Sequence, residues 1–327
     1  MRYQKPALTF EQQADQLLAR GMIGDRAQMI VRLSTVNYYR LSAYWYTFRL
    51  PGSVPGTKAD ALKEGTTFDQ IWDRYCFDQQ LRLLVMEAIE SIEVATKTQL
   101  AYHHAHRFDP FAYATNPACL PRMTSGGSGD PRSHAFWIAD VRKQIDRNSD
   151  HPFVRAYRTK YTSSADLPIW MAIELMSLGN ILGMYQGSRV QERHPVATMF
   201  GATVTVSEFE SWLLMLHNVR NICAHHGRFW NRKLAKSPSI PPRWNRPVQI
   251  DNTTVFAALT VCAYCLSKTV PTSDWCVRVR ALMERYPEIP KRTASGWSMG
   301  VPDNWLDCPI WSPARPPPAP SSPQPAP

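Results

Sequence analysis

The stretch that decides the fold is residues 67–106, which read TFDQIWDRYCFDQQLRLLVMEAIESIEVATKTQLAYHHAH. Its apolar residues return every three or four positions, the spacing that aligns side chains along one side of an α-helix. That stripe consists of Ile71, Leu81, Leu84, Val85, Ala88, Ile92 and Ala95. A second apolar set widens it: Leu83, Met86, Ile89 and Val94. We therefore expect one long helix that neighbouring elements cover on both sides.

Helical patterns continue on either side of this segment. Thr9 and Gln12 have the spacing of a capping box, which predicts a helix over residues 9–20, and a second helix is predicted over 25–39. Further helices are predicted at 136–148, 152–161, 169–185, 206–226 and 251–268. No segment alternates apolar and polar residues strongly enough to predict a sheet, and residues 51–58 are predicted to be a loop. The sequence therefore predicts an all-α fold.

The domain organisation follows from shifts in composition along the chain. Residues 1–58 are predicted to be an N-terminal helical region packed on a core domain, which spans residues 59–270. Residues 271–312 are a C-terminal extension with weaker helical signal. The last segment, 313–327, reads PARPPPAPSSPQPAP, a low-complexity composition typical of disordered or polyproline-like chain.

Charge and composition narrow the class of protein. The 327 residues contain 37 Lys and Arg against 27 Asp and Glu, a formal net charge of +10, which favours a polyanionic partner: RNA, DNA or an anionic membrane. The alternative is that the charge serves solubility or belongs to a basic tail. The seven cysteines have no disulfide-framework spacing, and the first ten residues lack the apolar region of a signal peptide. The longest apolar run, residues 255–266, is too short to span a bilayer. We therefore expect a soluble, cytoplasmic protein, and we predict RNA and not a membrane as its partner.

The most informative motif lies in residues 219–230, VRNICAHHGRFW. On a helix spanning 206–226, one stripe of residues is predicted to face the core: Phe209, Trp212, Leu216, Val219 and Cys223. Asn221 and His225 are four residues apart and point to the opposite side, while Arg220 projects between the two faces. The helix is predicted to end at Gly227.

These three residue types suit phosphodiester chemistry. The imidazole of His225 can move a proton near neutral pH, and the guanidinium of Arg220 can hold phosphate oxygens and stabilise developing charge. The amide of Asn221 can orient the imidazole or hydrogen-bond a ribose. Together they predict RNA cleavage by attack of its own 2′-hydroxyl, which requires neither a metal nor another cofactor. The alternative is that they are ordinary solvated or helix-capping residues.

The same residues carry a resemblance to a known family. Residues 220–225 match the R-N-x-x-x-H form of the R-x4-6-H motif of HEPN ribonucleases, and residues 220–232, RNICAHHGRFWNR, resemble the abortive-infection (Abi) family of AbiD/AbiF type. Segments 5–22, 38–45, 77–103 and 167–181 resemble that family too. The resemblance implies a HEPN-like helical bundle, a homodimer that joins two such motifs, and RNA cleavage in defence against phage. It also implies that a small noncoding RNA can act as a regulator.

One departure from the HEPN pattern concerns silencing. HEPN toxins that are silenced by nucleotidyltransferase partners carry a Tyr two residues after the motif His, where this chain has Gly227. The resemblance therefore argues against silencing by adenylylation at this position.

Several residues are candidates for supporting roles. Glu90 and Glu93 can orient Arg220, or they can belong to a solvated acidic strip or an internal ion pair, and His226 is a secondary candidate beside His225. Arg82 and Glu174 are expected to be buried pairing partners.

Basic and aromatic residues alternate after the motif. Arg228, Arg232, Lys233 and Lys236 are candidate RNA-binding residues, and three aromatic residues between or after them can stack bases: Phe229, Trp230 and Trp244. A plain solvated loop is the alternative. A second cluster at residues 38–49 combines tyrosines with Arg40 and Arg49, and there we favour packing against the core domain over base stacking.

Two further groups of residues, three histidines and two cysteines, suggest functional sites that their spacing does not support. His103, His104 and His106 lack a Cys or carboxylate partner at a recognised spacing, so no metal site is predicted. Cys262 and Cys265 are expected to pack in the core. The alternative function is that of a non-catalytic helical protein that binds RNA or senses a phage protein.

Overall fold

The fold is mostly helical, as predicted. The computed structural model describes residues 6–162, 165–286, 288–289 and 299–312, together with Arg2 and Gln4. The Pro-rich segment 313–327 lies outside the described residues. In chain order the helices are α1 (Phe10–Ala19), α2 (Arg26–Thr35), α3 (Tyr38–Trp45), α4 (Phe68–Arg107), α5 (Ala112–Thr115), α6 (His134–Arg147), α7 (Pro152–Lys160), α8 (Ile169–Leu175), α9 (Leu178–Gly187), α10 (Val190–Met199), α11 (Val206–Ala224), α12 (Val255–Thr269) and α13 (Trp275–Arg285).

The centre of the fold is α4, whose predicted extent is confirmed within one residue at each end. Its 40 residues correspond to a length of about 60 Å. Thr67 begins the helix with a capping box, because its hydroxyl accepts from the backbone N–H of Gln70 and its own N–H donates to the Gln70 side chain. Helices α3, α8, α10, α11, α12 and α13 all contact it.

The expectation that α4 is covered on both sides is wrong in part. Leu83 is 66% exposed and Val94 is 53% exposed, whereas Ile89 is buried. The neighbouring helices cover the main apolar stripe and leave the widened edge open to solvent.

Two predicted helices are each divided by a polar cap. The segment predicted as 25–39 ends with α2, and Asn37 then caps α3 by accepting from the N–H of Tyr39. The segment predicted as 169–185 is divided into α8 and α9, because Ser177 caps α9 in a box with Asn180. Short polar side chains compete for backbone N–H groups in this way and end a helix that apolar periodicity alone would continue.

A small hairpin was not predicted. Strands β1 (Arg49–Pro51) and β2 (Lys58–Leu62) pair antiparallel, with Arg49 opposite Leu62 and Pro51 opposite Lys58. The strands flank the predicted loop and overlap it only at Pro51 and Lys58, and they are too short to show a period of two.

The C-terminal extension packs on the core through aromatic residues. Trp275 at the start of α13, a helix that was not predicted, donates from Nε1 to the carbonyl of Leu84 at 2.7 Å. Trp311 donates to the hydroxyl of Thr260 at 3.0 Å. Cys262 and Cys265 are buried inside α12, which confirms their predicted role in core packing.

Among the described residues, no helix combines the length and the apolar character that crossing a bilayer would require.

Candidate active site at the end of α11

Helix α11 holds the motif residues Arg220, Asn221 and His225 outside the core, because the other side of the helix is buried. Thr205 and Glu208 form the capping box that begins it. The predicted core stripe is confirmed, since all five of its residues are buried: Phe209, Trp212, Leu216, Val219 and Cys223. Burial of this stripe fixes the rotation of the helix, so Arg220 and Asn221 lie on its half-buried flank.

Contacts at both ends show that α11 runs antiparallel to α4. Near the C-terminal end of α11, Cys223 lies close enough to Asp78 and Arg82 of α4 for their charges to act on its thiol. At the other end, α10 connects the two helices through Arg193–Glu210 at 2.6 Å and Arg107–Glu192 at 2.8 Å. The motif therefore lies beside the N-terminal half of α4.

The structure joins Arg220 and Asn221 to a histidine that sequence reasoning missed. Nη1 of Arg220 donates to Oδ1 of Asn221 at 3.4 Å, and Nδ2 of Asn221 lies 3.4 Å from Nε2 of His217. Burial lowers the pKa of His217, and the charge of Arg220 lowers it further. The neutral imidazole can therefore accept a hydrogen bond from the amide. His217 could have been found by extending the four-residue spacing of Asn221 and His225 back by one turn.

The absence of a side chain at Gly179 leaves room for His217 beside α9. A Cβ placed on Gly179 would lie 3.3 Å from Nε2 of His217, which is tighter than an ordinary contact. Gly179 therefore lets the first turn of α9 approach the imidazole directly.

His225 lies at the open end of the helix. It is the C-cap residue, its side chain is exposed, and its backbone N–H donates to the carbonyl of Asn221 at 3.1 Å. Within the described part of the chain, no side-chain hydrogen bond joins His225 to Arg220 or Asn221. The structure thus brings Arg220 and Asn221 together and places His225 one turn beyond them.

The helix ends differently from the prediction. The residue with left-handed backbone is His226, at φ 55°, and not Gly227. Gly227 contributes by its size, since a Cβ there would lie 3.1 Å from the carbonyl oxygen of Ile222. His226 is exposed, and its carbonyl oxygen accepts from the guanidinium of Arg40 in α3. This contact ties the end of the motif to the N-terminal region.

A buried carboxylate anchors the chain that follows the motif, and this too was missed. Asp78 of α4 is fully buried and accepts from the N–H groups of Phe229, at 3.1 Å, and Trp230, at 2.7 Å. It also accepts from the hydroxyl of Tyr44 at 2.7 Å and from Nη1 of Arg82 at 2.6 Å. The expectation that Arg82 is a buried pairing partner is confirmed. Asp78 holds the chain in place just beyond the motif.

The acidic candidates do not contact Arg220. Glu93 pairs with Lys97 at 3.0 Å, and Glu90 is exposed. Across the described residues, no ion pair links Arg220 to a carboxylate. The expectation that Glu174 is a buried partner is wrong, because it lies exposed on α8.

The basic segment divides into exposed cations and buried aromatic residues. Arg232, Lys233 and Lys236 are exposed, whereas Arg228 is half-buried and donates to the carbonyl of Ala43. The expectation that the interleaved aromatic residues stack bases is wrong, because all three lie in the core: Phe229, Trp230 and Trp244. Burial also lowers the pKa of Arg228 from its ordinary value.

The three histidines near the C-terminal end of α4 differ in their exposure to solvent. His104 is buried, His103 is half-buried and His106 is exposed. Burial lowers the pKa of His104 to about 4. Within the described ranges, no group of three or more His, Cys, Asp or Glu residues has the arrangement of a metal site.

Comparison with known proteins gives one match. A family model described as Abi-like protein matches residues 32–231, which is more than half of the chain and includes α3, α4 and the whole motif. No curated protein and no solved structure matches the chain. The chain therefore belongs to the family of Abi-like proteins.

Proposed function

We propose that this protein is a metal-independent endoribonuclease of HEPN type that acts in abortive infection. The observation that supports the proposal best is the arrangement at the end of α11. Arg220 and Asn221 are joined to each other on a half-buried flank, and the exposed imidazole of His225 lies one turn beyond them at an open helix end. Membership of the Abi-like family supports the biological role.

Each residue has a distinct part in the proposed reaction. The 2′-hydroxyl of the RNA gives its proton to one imidazole and its oxygen attacks the adjacent phosphorus, while the bond from phosphorus to the 5′-oxygen breaks and that oxygen takes a proton from an imidazolium. The products are a 2′,3′-cyclic phosphate and a 5′-hydroxyl. His225 moves the proton, and Arg220 stabilises the charge that develops on the phosphoryl oxygens. Asn221 holds the guanidinium, and His217 acts as a positioning residue through its contact with Asn221.

One imidazole cannot easily serve as both acid and base in a single step. We therefore propose a homodimer in which a second copy of the motif supplies the other imidazole. RNA is the proposed substrate, and a small noncoding RNA is a candidate regulator. This chemistry requires no metal, because the guanidinium supplies the positive charge.

The test is to express the protein in bacteria with and without phage infection and to map RNA ends that carry a cyclic phosphate. We expect new ends with the wild type, and we expect His225→Ala to abolish them because the imidazole that is proposed to move the proton is then lost. His194→Ala is the matched control, since His194 is also exposed but lies on α10.

Equal cleavage by wild type and His225→Ala would contradict the proposal. RNA that is bound but remains whole under infection would favour the alternative, a non-catalytic RNA-binding protein. Cleavage by purified wild-type protein that stops when EDTA is added would contradict metal independence.

A further inference from the structure

A surface groove lies beside the candidate active site, between α3 and the chain that follows α11. It is a cavity of about 420 Å³ lined by Tyr39, Ser42, Ala43, Tyr46, Arg228 and Arg232, and we call it the α3 groove. Its volume lies within the range of small-ligand sites. As far as the described residues show, the lining combines aromatic rings with guanidinium groups and includes no carboxylate.

The tyrosines of the α3 groove face solvent. Tyr39 is 84% exposed and Tyr46 is 41% exposed, whereas Tyr44 and Trp45 from the same segment are buried. Tyr39 and Tyr46 are seven residues apart and therefore share a face of the helical segment, about 10 Å apart along its axis. Tyr39 therefore contributes little to packing and presents its ring to planar groups in solution, whereas the guanidinium of Arg49 already lies 5.8 Å from the centre of the Tyr46 ring.

The arginines connect the α3 groove to the motif. Nη1 of Arg232 lies 3.9 Å from the position a Cβ would occupy on Gly227, so this exposed guanidinium lies over the turn that follows His226. Arg40, the neighbour of Tyr39, donates to the carbonyl of His226. Arg228 joins the two sides of the groove, because its guanidinium donates a hydrogen bond to the backbone carbonyl of Ala43. The groove and the candidate catalytic end of α11 therefore form one continuous surface.

We propose that the α3 groove binds unpaired RNA next to the cleavage position, with a base stacked on Tyr39 and a phosphate held by Arg232. This inference rests on the proposed ribonuclease function and names its substrate class. Duplex RNA is not the ligand, because its bases are stacked on each other and cannot present their faces to a tyrosine ring. Single-stranded nucleic acid presents both the base faces and the phosphates that this lining matches.

The experiment measures binding separately from cleavage. Full-length protein carrying His225→Ala is titrated against a fluorescently labelled, unstructured 12-nucleotide RNA, and the anisotropy is recorded. We expect Tyr39→Ala in this background to weaken binding by about tenfold, because base stacking on an aromatic ring typically contributes that much or more. Tyr39→Phe should retain the affinity, since it keeps the ring.

The matched control is Tyr102→Ala. Tyr102 is 56% exposed and lies on α4 about 36 Å along the helix from Asp78, well away from the α3 groove. Its loss should leave binding unchanged. Arg232→Ala should reduce the slope of log affinity against log salt concentration by about 0.7, the value for one phosphate contact on a single strand. The same RNA annealed to its complement should bind more weakly and should not respond to Tyr39→Ala.

The outcomes separate this inference from the proposed function. Unchanged binding by Tyr39→Ala, or equal sensitivity of the duplex, overturns the inference even if wild-type protein cleaves RNA through His225. Tyr39-dependent binding by a protein that never cleaves RNA supports the groove and overturns the ribonuclease proposal. Absence of any RNA binding overturns the inference as well.

Discussion

Two polar clusters lie near each other at the C-terminal end of α11, and they differ in how completely the protein satisfies them. The carboxylate of Asp78 is fully buried and accepts hydrogen bonds of 2.6–3.2 Å from Arg82, Tyr44 and two backbone N–H groups. The second cluster, Arg220 with Asn221 and His217 (the Arg220 cluster), is half-buried, and within the described part of the chain two side-chain hydrogen-bonding contacts join its members, both at 3.4 Å.

This difference in hydrogen bonding indicates that the two clusters have separate roles. A buried carboxylate is stable only when its hydrogen bonds are complete, so the Asp78 cluster holds the chain in place beyond the motif. Long contacts at a half-exposed site leave hydrogen-bonding capacity for a ligand. We infer that the first cluster stabilises the fold and that the second is available for chemistry.

The largest effect is expected from Asp78→Asn. The amide removes the negative charge that Arg82 requires and offers fewer acceptor positions to the N–H groups of Phe229 and Trp230, so the free energy of unfolding should fall by about 3–5 kcal/mol. Urea unfolding measures the change. Asp73→Asn is the matched control, because Asp73 lies exposed on the same helix and should change stability by less than about 0.5 kcal/mol. A small effect at Asp78 would contradict its anchoring role.

A buried imidazole at the far end of α4 should make stability depend on pH. Burial lowers the pKa of His104 to about 4 in the folded chain, from an ordinary value of 6.5. Between these values the unfolded chain binds more protons, so the free energy of unfolding decreases as the pH falls from 6.5 to 4, by about 3 kcal/mol in total.

His104→Leu should remove this part of the pH dependence, whereas His194→Leu at the exposed site on α10 should retain it. Urea unfolding at pH 7 and pH 4.5 measures both variants. An unchanged pH slope in His104→Leu would show that another group is responsible.

Gly179→Ala is expected to have a smaller effect on stability, together with a local effect on the position of the His217 imidazole. The added methyl group would press on His217 and shift its imidazole away from Asn221, while the gain in helix propensity offsets part of the cost. The free energy of unfolding should change by less than about 1 kcal/mol, and RNA cleavage should fall several-fold. Gly127→Ala is the control, because no atom of the described residues lies within 4 Å of a Cβ there. Wild-type cleavage by Gly179→Ala would exclude a positioning role for His217.

The helical fold and the orientation of the motif could be predicted because both depend on local periodicity. The stripe from Phe209 to Cys223 fixes which side of α11 is buried, and the position of Asn221 on the other flank follows from that. Helix α4 was predicted for the same reason.

The contacts made by distant segments could not be predicted. Asp78 reads as an ordinary polar residue of an amphipathic helix, and its partners lie in a loop about 150 residues further along the chain. Phe229 and Trp230 stand next to arginines and look exposed, yet their backbone bonds to Asp78 draw them into the core. Nothing in the local sequence indicates that His226, and not the adjacent glycine, takes the left-handed conformation.

The most direct test is to measure stability and RNA cleavage together in Arg220→Gln and His225→Ala. In buffer that contains EDTA, we expect both variants to cleave single-stranded RNA about a hundredfold more slowly than the wild type, or slower still. Their free energies of unfolding should remain within about 0.5 kcal/mol of the wild-type value. Wild-type cleavage rates in these variants, or a loss of stability as large as that of Asp78→Asn, would contradict the assignment of this cluster to catalysis.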